Sequence, residues 1–477
     1  MNDLGLKVGV EIHQQIDTNK LFCNCPSELR SDEPDIKVKR RLYAVAGEEG
    51  KIDIAAAYEE SKKREYVYEA YSDSNCLVEL DEAPPNEINQ EALKIAIQIS
   101  LLLNAEVLPV TQVMRKTVVD GSNTSGFQRT LLLARNGFVE INGKKIGIQA
   151  VCLEEDAARR TSETKESVNF RLDRLGIPLV EIATTPDIKS AEEAKEVALK
   201  IGEILRACKV KHGIGTIRQD VNLSIKNGAR VEIKGVQEPA LIRKTVETEI
   251  QRQLQLEKEK RKLTPEVRNA LPDGNTKFLR PLPGEARMYP ETDLPLIRIS
   301  NKMIEEIRSN LPKLKSELVS ELTKEGLSME YAKILIDEGK MNEFNKLKEA
   351  EVDLNTIAKL LVLYPKEVSS HENIPLKKIE EKLNNYREKI LIALRDEKIS
   401  ESSIKSIIIE LTKDVPFDEL IKKNKPADNK NIESEIKAII KEKPGLSVGG
   451  YMGLLMQKFK GKADGKALME ILKKHVK

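Results

Sequence analysis

The spacing of hydrophobic residues divides the chain into a mixed first part and a helical second part. Up to about Pro295, short apolar runs with alternation or β-branched residues predict strands at residues 6–12, 145–153, 221–225 and 230–234. Beyond Pro295, apolar residues recur at spacings of three and four among many Lys and Glu, which predicts helices. The pattern predicts an α+β fold, in which a mixed α/β body is followed by an all-helical region.

Two helices are predicted within the mixed part. Ser190 and Glu193 form a capping-box pattern, and apolar residues from Ala191 to Cys208 follow at three-to-four spacing. That spacing gives the helix one buried face. A second helix is predicted over residues 91–103, after a pair of prolines. The mixed part is therefore expected to combine these helices with its strands.

Helices and chain breaks organise the second part. Its candidate helices span residues 301–322, 329–337, 357–363 and 376–395. Breaks in the last segment are predicted at Pro416, Pro426 and Pro444. These changes along the chain predict a mixed body up to about Pro295 that is followed by helical regions.

Composition is typical of a globular protein of a reducing compartment. A length of 477 residues favours two or three domains. With 79 basic and 77 acidic residues the formal net charge is +2, so composition indicates no overall attraction to nucleic acid. The sequence has no run of 18 apolar residues and no signal-peptide pattern, and its five cysteines are irregularly spaced. A cytoplasmic location is predicted.

A local positive charge distinguishes the end of the chain. Residues 434–477 contain ten lysines and four acidic residues, which gives this segment a charge of +6. The lysines that follow its glycine pair are Lys458, Lys460, Lys462 and Lys466. Such lysines can neutralise phosphates, so a nucleic-acid contact is one interpretation. The other is a solvated, Lys-rich helical surface.

Acidic residues within apolar runs are the strongest chemical signal of the first part. Glu11 and His13 lie two residues apart, so in a strand both side chains point to one face. Glu155 belongs to three adjacent acids after an apolar run, and Glu181 is the single acid in another. Buried carboxylates need a cation or a donor, and these four residues would satisfy Mg²⁺. Because His is less usual for Mg²⁺, Mn²⁺ is an alternative.

Each acidic signal also has a purely structural interpretation. The acids around Glu155 would be satisfied at a solvated strand end beside Arg159. Glu181 would be satisfied by a salt bridge to Arg171 or Arg174. The residues alone leave both interpretations open.

A polar loop and two polar strands are candidates for the wall of the same cleft. Residues 120–129 are rich in Gly, Ser, Asn and Thr, and such loops offer backbone N–H groups to anions. No Walker A pattern is present. Polar residues alternate along residues 218–234. The candidate cleft residues are Ser122, Asn123, Ser125, Gln128, Arg129, Arg218, Asp220, Asn222 and Lys234.

Cys23 and Cys25 have the spacing of half a zinc site. Structural zinc normally requires four ligands, and no second cysteine pair lies nearby in the sequence. We therefore predict two free thiols at these positions rather than bound zinc.

Long motifs in the first 295 residues resemble those of the GatB/GatE family, with wording closest to its archaeal E-type members. The motifs are VGVEIH from residue 8, LFCNC from 21, DGSNTSGFQRT from 120, LEEDAAR from 153, LDRLGIPLVEI from 172, GTIRQDVN from 215 and RPLPG from 280. Strings of this length are specific. The helical remainder of the chain fits the family more loosely.

The resemblance implies a cradle-shaped catalytic domain over residues 1–295, a helical domain over residues 296–400 and a small YqeY-like tail domain that binds tRNA over residues 401–477. It implies phosphorylation of the glutamyl side chain of Glu-tRNA(Gln) with ATP and Mg²⁺, followed by amidation to Gln-tRNA(Gln). The ammonia would be channelled from a D-type partner, which is an asparaginase-like amidohydrolase. By this resemblance, the metal ligands and catalytic residues are Glu11, His13, Glu155 and Glu181.

The sequence departs from the E-type pattern at one place. E-type members carry an inserted domain, similar to one in bacterial aspartyl-tRNA synthetases, before the RPLPG motif. Here residues 241–262 form a charged helical pattern that leads directly into residues 263–266, so the insertion is missing. The amidase partner could therefore be of the A type or the D type, and the motifs favour the D type. The alternative function is a non-catalytic tRNA-binding scaffold in the same assembly, although retained buried acids favour an enzyme.

Overall fold

The computed structural model comprises two compact units, Met1–Pro312 and Lys313–Lys477. The residues that it describes are 4–46, 50–284, 288–426, 429–459 and 465–475. Lys460 and Lys462 lie outside the described residues, as does the side chain of Lys466. The predicted α+β class is confirmed, because a large mixed sheet occupies the first unit and helices form the second.

Strands of the first unit form a large sheet, a small sheet and a two-stranded ribbon. The strands are β1 (Lys7–Gln15), β2 (Ile36–Arg40), β3 (Glu65–Ala70), β4 (Glu106–Val107), β5 (Val110–Thr111), β6 (Val113–Thr117), β7 (Phe127–Ile141), β8 (Lys144–Glu155), β9 (Arg159–Glu163), β10 (Ser167–Arg171), β11 (Pro178–Thr184), β12 (Ile217–Ser224), β13 (Val231–Lys234), β14 (Glu266–Ala270), β15 (Thr276–Pro281), β16 (Met288–Pro290) and β17 (Ile297–Arg298). The large sheet has the order β15-β14-β13-β12-β1-β11-β8-β7-β6-β16, with β4 beside β7. The small sheet has the order β2-β3-β10-β9, and β5 pairs with β17.

Pairing at the centre of the large sheet aligns polar residues from three strands. Strand β1 is antiparallel to both β11 and β12, so His13 stands opposite Glu181 on one side and Arg218 on the other. Glu11 stands opposite Asp220. Directly opposed residues project from the same face of a sheet. Five charged or titratable side chains therefore share one face, although their strands are far apart in sequence.

The first unit has five helices among its described residues, and three of them pack on the opposite face of the large sheet. They are α1 (Ile54–Ser61), α2 (Gln90–Leu102), α3 (Ala191–Ala207), α4 (Pro239–Lys258) and α5 (Asn301–Arg308). Helix α3 begins as predicted, because the Ser190 hydroxyl accepts a hydrogen bond from the Glu193 N–H at 3.1 Å. The Glu193 carboxylate bonds the Lys189 N–H at 2.7 Å, one residue before the expected position. Helices α2, α3 and α4 pack on β7, β1 and β12, and the buried side chains of Val10 and Ile12 alternate with Glu11 and His13.

The second unit is built from short helices. They are α6 (Lys315–Lys324), α7 (Met329–Asp337), α8 (Met341–Leu347), α9 (Leu354–Ala358), α10 (Tyr364–Glu372), α11 (Leu376–Leu383), α12 (Arg387–Arg395), α13 (Ile404–Leu411), α14 (Phe417–Lys423), α15 (Asn429–Glu442), α16 (Val448–Lys458) and α17 (Gly465–His475). A π-helical turn, Lys359–Leu363, joins α9 to α10. The single helix predicted over residues 301–322 is two helices, because Pro312 restricts the backbone before it and lacks an N–H to donate. Among the described residues, no helix combines the length and the hydropathy that a membrane span needs.

Two apolar cores stabilise the second unit. One extends from Val319 to Leu420 and includes the buried face of α13. The other joins α15, α16 and α17, from Ile432 to Leu472. The boundary predicted after residue 400 therefore falls inside the first of these cores, because α13 packs with the helices before it. The structure places the separate tail core from α15 onwards, and it divides the two units after Pro312 rather than after residue 295.

Candidate active site

The helix-free face of the large sheet contains a cavity of about 520 Å³. Its volume is in the range of small-molecule sites, and its lining is dominated by ionisable groups. The charged and polar lining residues are Glu11, His13, Lys116, Gln128, Glu154, Asp156, Glu181, Arg218, Asp220, Arg230, Glu232, Lys234, Gln237 and Arg280.

Two overlapping sets of metal-type donors share His13. Ligand atoms of His13, Glu154 and Glu181 lie within 4.8 Å of one another, as do those of Glu11, His13 and Asp220. Nε2 of His13 lies 3.4 Å from the nearest carboxylate oxygen of Glu11 and 3.4 Å from that of Glu181. Imidazole and carboxylate groups gathered at this spacing are suitable ligands for a divalent cation. The structure therefore brings together three of the four predicted ligands.

Crowding of the acids changes the pKa values in this cluster. Burial, together with the charge of Glu181, raises the pKa of Glu11 to about 7. Burial alone would lower the pKa of His13, but the hydrogen bond and charge of Glu181 raise it to about 9. For Glu181, Lys116 and His13 outweigh burial and hold the pKa well below its usual range. These directions describe a protonated imidazole beside an ionised Glu181.

Lys116 joins the two acids on the β8 side of the cluster. Its Nζ lies 2.7 Å from a carboxylate oxygen of Glu154 and 3.4 Å from one of Glu181. The Thr130 hydroxyl donates to the same Glu154 oxygen at 3.0 Å. Strand pairing explains the arrangement, because Thr130 stands opposite Glu154 while Lys116 stands opposite Gln128. Lys116 is therefore aligned with the cluster by the β6-β7-β8 register.

Glu155 is not part of this cluster, contrary to the prediction from sequence. Neighbouring residues of a strand point to opposite faces, so Glu154 faces the cavity and Glu155 faces away from it. The buried Glu155 carboxylate accepts a hydrogen bond from the Arg129 N–H at 3.0 Å and lies 3.4 Å from the Arg129 guanidinium. Because the three acids are adjacent, alternation allows either Glu155 or its two acidic neighbours to face the cavity. Sequence alone did not distinguish these two arrangements. Glu154 takes the place of Glu155 as the candidate ligand.

Asp156 holds one arginine of the cavity in place. Its buried carboxylate accepts a hydrogen bond from Nη2 of Arg218 at 2.7 Å. The other carboxylate oxygen accepts from Nε2 of Gln15, also at 2.7 Å. Both oxygens of Asp156 are thus occupied, and the orientation of Arg218 in the cavity is restricted.

Lys234 forms a second paired charge in the cavity wall. Its Nζ lies 2.9 Å from Asp220 and 2.7 Å from Glu232. Burial disfavours the ammonium form, but the charges of Asp220 and Glu232 outweigh it and raise the pKa of Lys234. Burial likewise opposes ionisation of Asp220, and Lys234 reverses that effect and lowers its pKa. Both groups are therefore charged at neutral pH.

Two arginines of the cavity have no carboxylate partner among the described residues. Nε of Arg230 donates to the Asn222 side chain at 3.2 Å, and Nε of Arg280 is buried without a hydrogen-bond partner. Arg280 belongs to β15, four strands from β1 in the large sheet. The cavity thus has an acidic side around His13 and a cationic side towards Arg280. Guanidinium groups without acidic partners favour an anionic ligand.

The cavity contains part of the cleft set predicted from sequence. The predicted residues that line it are Gln128, Arg218, Asp220 and Lys234. Asn222 lines an adjoining cavity of about 290 Å³. The structure does not bring the other four to the cavity, and these are Ser122, Asn123, Ser125 and Arg129.

The loop before β7 uses its polar groups internally. The Ser122 hydroxyl donates to Asp120 at 2.6 Å, and the Ser125 hydroxyl donates to the carbonyl of Phe127 at 2.9 Å. Asn123 is buried, and Arg129 points to the helix-covered side. The composition of the loop indicated an anion site, but these contacts assign its side chains to the structure of the loop.

Several residues of the cavity were missed by sequence reasoning, and Arg230 is one of them. Glu154 was adjacent to the chosen Glu155, and Arg280 opened the RPLPG motif without an assigned role. Lys116 lay in a strand that was not predicted. Met114 and Lys116 lie two residues apart, so both side chains point to the same face of a strand. This relation becomes informative only when the partner strand is known.

Cys23 and Cys25 meet two further donors. Ligand atoms of Cys23, Cys25, Cys76 and Glu79 lie within 4.8 Å of one another, so the fold brings two donors to the pair that are distant from it in the sequence. Glu79 accepts a hydrogen bond from Cys23 at 2.9 Å and pairs with the buried Lys20 at 3.0 Å. All five cysteines are free thiols. Four donors meet the number that structural zinc normally needs, and the prediction against zinc stays a prediction.

One of the four predicted tRNA-binding lysines has a described side chain. Lys458 ends α16 and forms an ion pair with Glu435 of α15. Its side chain is exposed, so it remains available to a ligand on the tail surface.

Comparison with known proteins identifies relatives of this arrangement. The family model of the GatB/GatE catalytic domain matches residues 6–305. The E-type chain of the glutamyl-tRNA(Gln) amidotransferase of Methanocaldococcus jannaschii is 38% identical, over 99% of this chain and 99% of the relative. The E-type chain of the same enzyme from Sulfurisphaera tokodaii is 33% identical, over 99% of each chain. That of Methanothermobacter thermautotrophicus is 39% identical, over 75% of this chain and 79% of the relative.

The length of these alignments supports the predicted loss of an inserted domain. The alignment with the Methanocaldococcus protein extends over 625 positions, whereas this chain has 477 residues, so at least 148 positions lack a counterpart here. The identity is nevertheless distributed over almost the whole of both chains. Because the family model matches more than half of the chain and these relatives align over nearly its full length, the chain belongs to the GatB/GatE family.

Proposed function

We propose that this chain is the E-type component of a tRNA-dependent amidotransferase and that its cavity converts Glu-tRNA(Gln) to Gln-tRNA(Gln). The observation that carries the proposal is the grouping of His13, Glu154 and Glu181 in one cavity with arginines that lack acidic partners. Such a cavity can accommodate a divalent cation beside a phosphate chain. The names of the relatives support the tRNA-dependent reaction.

The reaction would proceed in two steps. The glutamyl carboxylate attacks the γ-phosphorus of ATP, ADP leaves, and an acyl phosphate forms. Ammonia then attacks the acyl carbon, inorganic phosphate leaves with the electrons of the C–O bond, and loss of a proton from nitrogen gives the amide. Neither step needs a protein nucleophile. The main task of the cavity is to bring two anions together, which requires positive charge nearby.

The donor set fits Mg²⁺ as the cation of this site. Glu154, Glu181 and His13 would hold it, and Glu11 and Asp220 stand on the other side of His13. Mg²⁺ prefers a few carboxylates together with water and phosphate oxygens. When bound, it would neutralise phosphate oxygens as charge develops on them. Mn²⁺ is the alternative, because an imidazole is among the ligands.

The cationic side of the cavity would bind the ATP phosphates. Arg280 has a buried Nε without a hydrogen-bond partner, and Arg230 has only the Asn222 amide. Both can therefore donate to phosphate oxygens without first breaking an ion pair. Lys116 instead contacts Glu154 and would offset the negative charge around the cation.

The proposal includes an amidohydrolase partner as the source of ammonia. Among the described residues that line the cavity there is no Ser, Thr or Cys, so the cavity does not offer a nucleophile for splitting an amide donor. The relatives are named as subunits, which supports a heteromeric assembly. We propose a D-type partner, because the motif wording is that of the E-type members.

We also propose that the tail contributes to binding of the tRNA body. The lysines concerned are Lys458, Lys460, Lys462 and Lys466, in a segment with a charge of +6. The tail has its own apolar core, so residues 429–477 are a more suitable deletion than residues 401–477. Removal of this segment is expected to weaken tRNA binding and to flatten its salt dependence.

The test is conversion of ATP to ADP by the purified chain with Mg²⁺, Glu-tRNA(Gln) and ammonium chloride. ATP cleavage that requires the charged tRNA and is accompanied by Gln-tRNA(Gln) would support both chemical steps. Activity that appears only after a D-type partner is added would support a site completed by its assembly. Tight tRNA binding without ATP cleavage in either condition would favour the scaffold function instead.

A further inference from the structure

Behind the cavity, four charged residues, of which Arg115 is partly exposed, form a group on the other face of β6, β7 and β8. This rear cluster consists of Arg115, Arg129, Glu155 and Glu291. Arg115 lies 2.5 Å from one oxygen of Glu291, and Nε of Arg129 lies 2.9 Å from the other. Arg129 also bonds Glu155 through its N–H at 3.0 Å. Glu291 is fully buried, and two positive charges match two negative charges within the rear cluster.

Aromatic rings lie against both arginines of the rear cluster. The Arg115 guanidinium lies 4.6 Å from the ring centre of Phe127 and 5.9 Å from that of Tyr289. The Arg129 guanidinium lies 5.2 Å from the Phe127 ring and 5.8 Å from the Phe22 ring. The rings attract the cations and exclude water. Removing one charge from this environment leaves another buried and unpaired, which is strongly unfavourable.

Members of the rear cluster are chain neighbours of cavity residues. The adjacent pairs are Arg115 with Lys116, Arg129 with Gln128, and Glu155 with Glu154. In addition, Gln128, which lines the cavity, donates through Nε2 to the Glu155 carbonyl at 2.8 Å. A displacement on the rear face would therefore be transmitted through a single residue to the face that carries the chemistry.

Strand β8 has two adjacent glutamates, Glu154 and Glu155, so its register determines which of them faces the cavity. A shift of this strand by one residue would exchange its two faces. Because Glu154 and Glu155 are identical, such a shift would still present a glutamate to the cavity, but at a different depth along the strand. Arg129 and Glu291 distinguish the two registers, because Arg129 binds the Glu155 side chain with defined geometry.

We propose that the rear cluster is a positioning element, which holds Glu154 against Lys116 in the geometry that the cation site requires. Glu155 acts through its neighbour and does not contact the ligand. The effect on catalysis rests on the proposed function, but the effect on cation binding does not. The two can therefore be tested separately.

The first test measures binding of Mn²⁺ alone to the full chain by electron paramagnetic resonance. Glu155→Gln is expected to raise the dissociation constant about 10-fold with one site retained, as loss of an outer-shell partner typically does. Glu154→Gln is expected to lose the site. The matched control is Glu249→Gln, since Glu249 is also fully buried and bonds Arg252 at 2.7 Å, in α4. This control is expected to lower the unfolding temperature without changing Mn²⁺ affinity.

A second variant distinguishes the Arg129–Glu155 contact from simple charge balance. Arg129→Gln combined with Glu155→Gln restores the charge balance but not the contact, with Arg115 left beside Glu291 and Asp293. The double variant is expected to bind Mn²⁺ about as weakly as Glu155→Gln alone, because the two substitutions break one contact and are not additive. If Glu155→Gln does not fold, Glu155→Asp replaces it and is expected to give a smaller shift in the same direction.

Three results would overturn the proposal. They are unchanged Mn²⁺ affinity in Glu155→Gln, an equal loss in Glu249→Gln, and recovery of wild-type affinity in the double variant. A different result would contradict the proposed function, namely that the wild-type chain binds Mn²⁺ and charged tRNA but forms no ADP with its partner present. If ADP is formed, Glu155→Gln is expected to lower kcat with little change in the KM for ATP.

Discussion

The two compact units use charged side chains in different ways. In the first unit, buried ions are shared among several partners, as Glu291 is by Arg115 and Arg129. In the second unit, ion pairs such as Lys315 with Asp337 join exposed side chains. Burying an ion pair is often no more favourable than packing apolar residues of the same size, whereas exposed pairs contribute little either way. Buried charge is therefore concentrated where the molecule needs it for chemistry.

The two units also differ in the interactions that stabilise them. The cation site of the first unit depends on side chains whose partners are themselves charged. The stability of the second unit depends on two apolar cores, and its charged side chains lie on the helices around these cores. Apart from the tail lysines that are proposed to bind tRNA, charge-removing substitutions should therefore affect activity in the first unit and only stability in the second.

The largest effect is expected from Glu154→Gln. This change removes one ligand of the cation and the acidic partner of Lys116, so tRNA-dependent ATP cleavage should fall about 100- to 1000-fold. Binding of tRNA should be nearly unchanged. The matched control in the second unit is Glu410→Gln, which removes the partner of Lys423. ADP formation at saturating ATP measures the difference, and equal rates in the two variants would remove Glu154 from the site.

A pH-dependent effect of intermediate size is expected in the same cluster. His13 has a pKa raised from 6.5 to about 9, so its proton stabilises the native state fully below pH 6.5. That contribution is lost as the pH rises to about 9. Thermal unfolding in the presence of a chelator should shift to lower temperature over this range, and His13→Asn should remove the shift. Mn²⁺ affinity should rise by up to about tenfold per pH unit over the same range, because the proton must leave.

An unaltered slope of unfolding temperature against pH in His13→Asn would contradict the assignment. The acids beside His13 act in both directions, because Glu11 has its pKa raised and Glu181 has its pKa lowered. Glu11→Gln is the companion variant. It should flatten the loss of stability between pH 4.5 and about 7, where the raised pKa of Glu11 makes ionisation unfavourable.

A smaller effect on activity is expected from Asp156→Asn. This carboxylate holds Arg218 and Gln15, so its neutralisation should allow Arg218 to move within the cavity. We expect kcat to fall about 10-fold, as for other groups that orient a side chain at a site. Asp337→Asn, at an exposed pair of the second unit, is the control. Equal kcat values would show that Arg218 is positioned by other contacts.

The smallest effect on activity, but a clear one on stability, is expected from Arg387→Met. Arg387 is the exception in the second unit, since it is 3% exposed and pairs with Glu343 and Glu380. Those carboxylates are partly exposed and can be hydrated, so the free energy of unfolding should fall by only about 1–3 kcal/mol. Urea unfolding of the full chain measures it. A fall in ATP cleavage at 25 °C would contradict the division of tasks between the units.

The fold class was predictable because hydrophobic period and chain breaks are local properties. The Ser190 cap and the apolar spacing after it specify α3 almost residue by residue. The helix predicted across Pro312 was wrong, whereas the domain boundary predicted after residue 400 stays a prediction. Pro312 interrupted the predicted helix, and the apolar face of α13 packs against helices that come earlier in the chain.

The candidate site was predictable only where one strand contained the information. Glu11 and His13 lie two residues apart, so alternation alone placed them together. The choice between Glu154 and Glu155 needed the pairing of β8 with β7, and that pairing contains a register shift between Leu132 and Ala134. Such long-range pairing has no local signature. The same reason explains why Lys116 was missed.

The central position of β1 has a consequence for synthesis of the chain. Lys7–Gln15 is made before both of its ladder partners, Pro178–Thr184 and Ile217–Ser224, which follow much later in the chain. Until then its buried face and its two unpaired edges have no native cover, and an uncovered edge strand readily pairs with other chains. Contacts of such long sequence separation also close slowly. A completed cation site would therefore report that the central strands of the sheet have paired.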